Sequence, residues 1–194
     1  MTIQNIAKEK LSKVKEKEEK LSEKLVHKIE AKGLPTILNA FTEIGSTYGV
    51  LIIFLIIAVF SGLEPLLYMF PLYFAQLFIV EIIKLTTKRN RPKTLYKKER
   101  IFKLKTTSGS FPSGHSSNIF TLAVLLTTYY QTRLTITIIA FLTATLVSIS
   151  RLYLGRHYIL DIIGGTIIGI TITILLINSP LVPIVQSIYH YVFY

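Results

Sequence analysis

The chain contains no cysteine among its 194 residues. That removes thiolate nucleophiles, disulfides and Cys-ligated metals together, and leaves the redox compartment open. Acidic residues are scarce, 11 against 22 Lys and Arg, and they nowhere cluster as a Mg²⁺ site requires. No motif for a metal or other cofactor stands out. Residues 3–30 offer neither an apolar core nor a small-residue cleavage site, so no secretory signal is expected there.

What the chain has in abundance is apolar sequence, 51% of the total. Its long apolar runs, broken by short polar stretches, place it in the membrane class, and its length suits a single domain. The formal charge of +11 is unevenly spread. Lys and Arg crowd into residues 8–32 and 84–105. Between hydrophobic spans, such patches suit anionic headgroups and lipid phosphates better than nucleic acid, which is not expected as a partner.

Residues 1–33 read as a charged amphipathic helix. Ile3, Ile6, Ala7, Leu11, Val14, Leu21, Leu25 and Ile29 share one face, which Glu18 interrupts, and Glu9–Lys13 and Glu16–Lys20 are favourable i,i+4 pairs. The segment cannot cross a bilayer, since each charge near the centre costs about 2.5–3.5 kcal/mol. It is expected on the membrane surface, with a solvated helix or coiled-coil arm as the alternative. Gly33 and Pro35 end it. Five spans of roughly 17–21 residues follow, near 44–62, 65–83, 113–130, 134–150 and 158–178. Pro71 is expected to kink the second, and the tail 179–194, with two prolines and four aromatics from Pro180 onward, to lie at the interface. The fold expected is thus an all-α integral membrane bundle, with residues 34–178 as the membrane-embedded domain.

Ionisable residues at span ends are costly and so are functional candidates. Lys84, Arg91, His115, Arg151, His157 and Asp161 all fall at ends on one predicted face. A phosphate, with up to two charges and three acceptor oxygens, needs such cations: a point charge from Lys84 and planar forks from Arg91 and Arg151. Ser113 and Gly114 open the third span, where free backbone N–H groups favour an anion. His157 and Asp161 are spaced i,i+4, so the carboxylate can hold one imidazole N–H and leave the other nitrogen as nucleophile. His115 can then protonate a leaving oxygen. Glu81 is expected to pair with a nearby cation. Lys88, Arg89, Lys93, Lys97, Lys98, Arg100, Lys103 and Lys105 read as headgroup or topology charges, and Arg156 is left unassigned.

Three segments resemble the type 2 phosphatidic acid phosphatase superfamily, in its membrane lipid phosphatase branch. Lys84 to Arg91-Pro92 matches the first motif, Pro112-Ser113-Gly114-His115 the second, and Ser150-Arg151 through Gly155-Arg156-His157 to Asp161 the third. The resemblance covers residues 44–178 in order. It implies His157 as nucleophile, Asp161 as its orienter and His115 as general acid and then base, without a metal. It also implies that Lys84, Arg91, Ser113, Gly114 and Arg151 bind the phosphoryl group. Many membrane members have about six spans; here the charged helix stands in place of the first.

The function expected is hydrolysis of a lipid-borne phosphomonoester or diphosphate through a phosphohistidine, on a polyprenyl carrier first of all. Phosphatidate or phosphatidylglycerol phosphate is the alternative substrate, and transfer to a lipid acceptor other than water a further one. A non-catalytic lipid-binding protein would be expected to have lost one of His115, His157 and Asp161. With five spans, the N-terminus and the site share a face that holds every Lys and Arg except Arg133. The positive-inside rule points that face to the cytoplasm of a multi-pass protein in the cell membrane. Partners expected are the lipid phosphate substrate and anionic membrane lipids; the sequence leaves the oligomeric state open.

Overall fold

In the computed structural model every regular element among the described residues is helical. The structure describes residues 3–30, 38, 41–92, 109–131 and 133–193. The helix breakers Gly33 and Pro35 and the basic run from Lys93 to Lys105 lie outside these residues. The order is α1 (Ile3–Glu30), a 3₁₀ turn (Glu43–Gly45), α2 (Thr47–Ser61), α3 (Leu63–Thr87), α4 (Gly114–Tyr129), α5 (Leu134–Tyr153), α6 (Ile159–Ile177) and α7 (Leu181–Phe193).

Helices α2 to α6 occupy the five expected spans. Three of them, α3, α5 and α6, are long and apolar enough to cross a membrane, and α2 is apolar but shorter. α3 runs unbroken through Pro71. With 15 and 16 residues, α2 and α4 extend only about 22–24 Å, short of the roughly 30 Å hydrocarbon core. α4 meets this by being enclosed: every side chain from Ser116 to Leu125 is buried. A helix buried all round is a central one, here packed on α5, α6, α3 and α2.

The main core joins Val50 and Phe54 of α2, Met69, Leu72 and Tyr73 of α3, Ile119, Leu122 and Leu125 of α4, and Ala144 and Val147 of α5. The outer faces remain apolar, with Leu55, Val59, Phe60, Phe78, Ile139, Leu142, Ile167 and Leu175 exposed. Such surface is untenable in water and ordinary against lipid tails. α7, where an interfacial tail was expected, is a helix packed on α3 and α6.

α1 departs most from a surface helix or free arm. It packs against α5 and α6. Glu18, Ser22 and Val26, one stripe at i, i+4 and i+8, are buried. Val26 joins Leu38, Leu152, Tyr153 and Leu154 in a second apolar cluster. The opposite side of α1 carries the exposed pairs Glu9–Lys13 and Glu16–Lys20, at 2.7 and 2.6 Å. Glu18, which broke the apolar pattern in the sequence, therefore lies on the docked face.

Candidate active site

Antiparallel alternation brings the C-terminal ends of α3 and α5 beside the N-terminal ends of α4 and α6. Between them opens a cleft of about 270 Å³ lined by Thr47, Glu81, Lys84, Arg91, Gly114, His115, Asn118, Arg151, Arg156 and His157. Lys84, on the last turn of α3, reaches across to Gly114, where any added side chain would meet its Nζ at 2.8 Å. Its ammonium also pairs with Glu81 at 3.0 Å, as the sequence suggested. Arg151 is buried at the end of α5, with Nη1 donating to Thr42 Oγ1 at 2.9 Å.

Ser113 caps α4, its Oγ accepting from Ser116 N–H at 3.4 Å. Its own N–H donates to the Asp161 carbonyl at 2.9 Å. Ser113 is thus fully buried at the α4–α6 junction and is not among the residues lining the cleft, unlike Gly114 and His115. Arg156, unassigned from sequence, does line it.

His157 lies in the turn before α6, not on the helix itself, because Tyr158 is the N-cap residue. Its Nδ1 is 2.8 Å from the Ser110 carbonyl and 3.7 Å from Asp161 Oδ2. A carbonyl can only accept, so Nδ1 carries the proton and Nε2 holds the lone pair. The i,i+4 spacing does bring carboxylate and imidazole together, but the hydrogen bond that sets the tautomer runs to Ser110. Asp161, at the third position of α6, accepts from Tyr158 N–H at 3.0 Å and from Arg89 Nη1 at 2.7 Å. Burial, followed by the charges of Arg151 and Arg91, outweighs Asp161 and lowers the His157 pKa from 6.5 to about 4. Its imidazole is neutral at physiological pH.

Arg89 was read as one cation in a headgroup-facing run. It instead turns inward: Nη2 donates to Glu18 of α1, Nη1 to Asp161, and the guanidinium carbon lies 4.7 Å over the Tyr158 ring. The left-handed turn at Lys88, with φ 44°, redirects the chain at the end of α3. The Tyr158 hydroxyl donates to Glu19 at 2.9 Å.

The site is therefore a cationic cleft at one end of a helical bundle, with two imidazoles on its wall, of which His157 is held by the Ser110 carbonyl. The PAP2 superfamily profile matches residues 65–182, more than half of the chain. The chain belongs to the PAP2 superfamily. Among solved structures it is similar to a transmembrane PAP2 type phosphatidylglycerolphosphate phosphatase from Bacillus subtilis. The TM-score there is 0.66 at 26% identity, over 85% of each chain. It is also similar to LpxE from Aquifex aeolicus, with a TM-score of 0.57 and 28% identity over 75% of this chain and 86% of that one. PAP2 membership and these likenesses make it a phosphatase with the fold of the membrane lipid phosphatases, multi-pass and all-helical. In this PAP2 chain the three motifs sit on four different elements, and the fold gathers Lys84, Arg91, Gly114, His115, Arg151 and His157 around one cleft.

Proposed function

We propose that this PAP2 phosphatase hydrolyses lipid-borne phosphate esters or diphosphates through a phosphohistidine on His157, without a metal. The observation that carries the reading is the His157 ring, its Nδ1 held by the Ser110 carbonyl at 2.8 Å, on the wall of a cleft ringed by Lys84, Arg91, Arg151 and Arg156. The cations bind and neutralise the phosphoryl oxygens, which is most of what phosphoryl transfer asks of a protein. Nε2 attacks phosphorus as the ester or anhydride P–O bond breaks, and His115 gives its proton to the departing oxygen. As the N–P bond forms, the imidazole becomes cationic, and the Asp161 carboxylate at 3.7 Å stabilises it. His115 then takes a proton from water, whose oxygen attacks phosphorus. The N–P bond breaks, and phosphate leaves. The carboxylates beside the site, Glu81 and Asp161, are already paired with Lys84 and Arg89, which suits cationic rather than metal stabilisation.

A membrane-borne substrate fits the surroundings of the cleft. Two to three turns further along α4, an apolar groove of about 230 Å³ between α2, α4 and α5 is lined by Ile53, Leu122, Ala123, Leu126, Ile139 and Ala140. It offers a hydrocarbon chain a course into the bilayer below the polar cleft. A polyprenyl diphosphate or monophosphate is the leading substrate, since among the described residues little protein lies outside the bundle to recognise a large soluble molecule. Similarity to the Bacillus subtilis enzyme favours phosphatidylglycerol phosphate as the second reading. Residues 34–178 form the catalytic unit, while 1–33 and 179–194 lie near the headgroups of the cell membrane. The site opens to the cytoplasm, where the cation asymmetry directs it.

Phosphate release from purified protein in detergent tests this against a panel of polyprenyl diphosphate, polyprenyl phosphate, phosphatidylglycerol phosphate, phosphatidate and a soluble phosphomonoester, with EDTA throughout. Turnover of at least one lipid phosphate is expected, preferred over the soluble ester, and His157→Ala should abolish it. Activity retained in His157→Ala would overturn the phosphohistidine mechanism, and activity lost with EDTA would overturn metal independence.

A further inference from the structure

A buried carboxylate on a helix otherwise made for water is the least expected feature of α1. Glu18 is 5% exposed, and a buried carboxylate is tolerated only when fully partnered. Its partners are Arg89 Nη2 and, at 3.2 Å, the N–H of Leu160, an otherwise open donor on the first turn of α6. The next residue, Glu19, accepts from the Tyr158 hydroxyl at 2.9 Å. Two successive carboxylates of α1 therefore hold the segment 158–161, which begins one residue after His157 and ends on Asp161. Arg89 completes the connection, with one guanidinium nitrogen on Glu18 and the other on Asp161 Oδ1 at 2.7 Å. Asp161 keeps its second oxygen for Tyr158 N–H at 3.0 Å, on the side that faces His157 Nδ1.

We propose that Glu18 and Arg89 form a positioning relay from the N-terminal helix, in which α1 holds Asp161 against His157 and sets the rate of the chemical step. This rests on the phosphohistidine reading above. Arg89 stays between two carboxylates with its plane over Tyr158 because Glu18 anchors it. Without that anchor, the guanidinium follows Asp161 alone, the first turn of α6 loses a capping acceptor, and the carboxylate is no longer fixed at His157. The imidazolium that forms with the N–P bond then has less stabilisation. Neither relay residue lines the cleft, so ground-state binding of the phosphoryl group is unaffected. The relay therefore acts on kcat and not on KM.

The test compares full-length wild type, Glu18→Gln, Arg89→Gln and the double variant in detergent, each confirmed helical by circular dichroism. Glu16→Gln serves as control: it removes the same charge from the exposed side of α1, where Glu16 pairs with Lys20. The expected result is a kcat about tenfold lower in Glu18→Gln, the scale of one charge-assisted hydrogen bond. KM should hold within about twofold, and Glu16→Gln should match wild type. Glu18→Gln should add little to the loss in Arg89→Gln, because both break one relay. Wild-type kcat in Glu18→Gln, or losses that multiply in the double variant, would overturn the proposal. Should Glu18→Gln not fold, Arg89→Gln alone is read the same way: a reduced kcat at unchanged KM supports the relay, and unchanged kcat overturns it. His157→Ala runs beside them. Activity there would sink the phosphohistidine reading itself, whereas an inactive His157→Ala with a fully active Glu18→Gln removes only the relay.

Discussion

His157 titrates far from the ordinary range, and the sign of that shift makes a prediction. Its pKa is lowered from 6.5 to about 4 by burial and by Arg151 and Arg91. The unfolded chain therefore binds a proton that the folded one refuses, so stability is full above about 6.5 and is lost as pH falls toward about 4. Unfolding in detergent across that window should show the wild type losing stability more steeply than His157→Gln. The acid limb of kcat/KM should likewise lie well below 6.5, toward about 4; a limb at neutral pH would assign a different group. At this scale the sequence was informative about which residues meet and less so about how. Motif spacing placed Lys84, Arg91, His115, Arg151 and His157 in one cleft. It gave Asp161 the hydrogen bond that Ser110 holds, because His157 precedes the helix start and Ser110 lies 47 residues away. Arg89 was indistinguishable in sequence from the cations around it, since its partners Glu18 and Asp161 lie 71 and 72 residues away.

The elements that carry the site are fixed most closely where α4 meets α6. Cβ atoms added to Gly165 and Gly169 would meet the Ser113 and Ser117 carbonyl oxygens at 2.5 and 2.6 Å. These glycines are four residues apart on α6, and the serines four apart on α4, so the two backbones lie against each other as in small-residue membrane packing. Thr173 and Thr121 add a hydrogen bond of 3.0 Å between the same helices. The seam holds His115 and Asp161 in register, since Ser113 N–H bonds the Asp161 carbonyl. Gly165→Ala should cost about 1–3 kcal/mol through overpacking and lower activity as well, read by thermal unfolding and phosphate release. Wild-type stability would show that the helices can part without cost. The roles of Gly165 and Gly169 were not read from the sequence, because contacts between α4 and α6 are long-range. The helices themselves were legible, their runs being apolar enough to mark each span within a few residues. The docked face of α1 was not legible, because Glu18 on an apolar face reads as a break until the cation that meets it is known.

For the whole molecule, the docking of α1 on α5 and α6 puts the N-terminal helix at the end of the bundle that holds the cleft. The turn at Gly62, between α2 and α3, lies at the other end. Since the chain has no cysteine, each introduced one is a unique probe. Lys13→Cys and Leu63→Cys should label from opposite sides of the membrane. With the site facing the cytoplasm, an impermeant reagent on intact cells should reach only Leu63→Cys. Labelling of Lys13→Cys instead would reverse the orientation, and labelling of both would break the five-span topology. Apolar spacing made the helical bundle readable. The tertiary position of α1 was not, because it depends on a buried ion pair between residues 71 apart.

The bonds from Glu18 to Leu160 and from Glu19 to Tyr158 join positions 142 and 139 residues apart. At roughly 5–20 residues per second of synthesis, α1 waits on the order of 7–30 s for the segment it will hold. During that interval the nascent chain already has α1 to α4 and their cations but lacks both His157 and its anchor. Until residues 157–161 emerge, the growing chain lacks the proposed nucleophile and the segment that Glu18 and Glu19 hold.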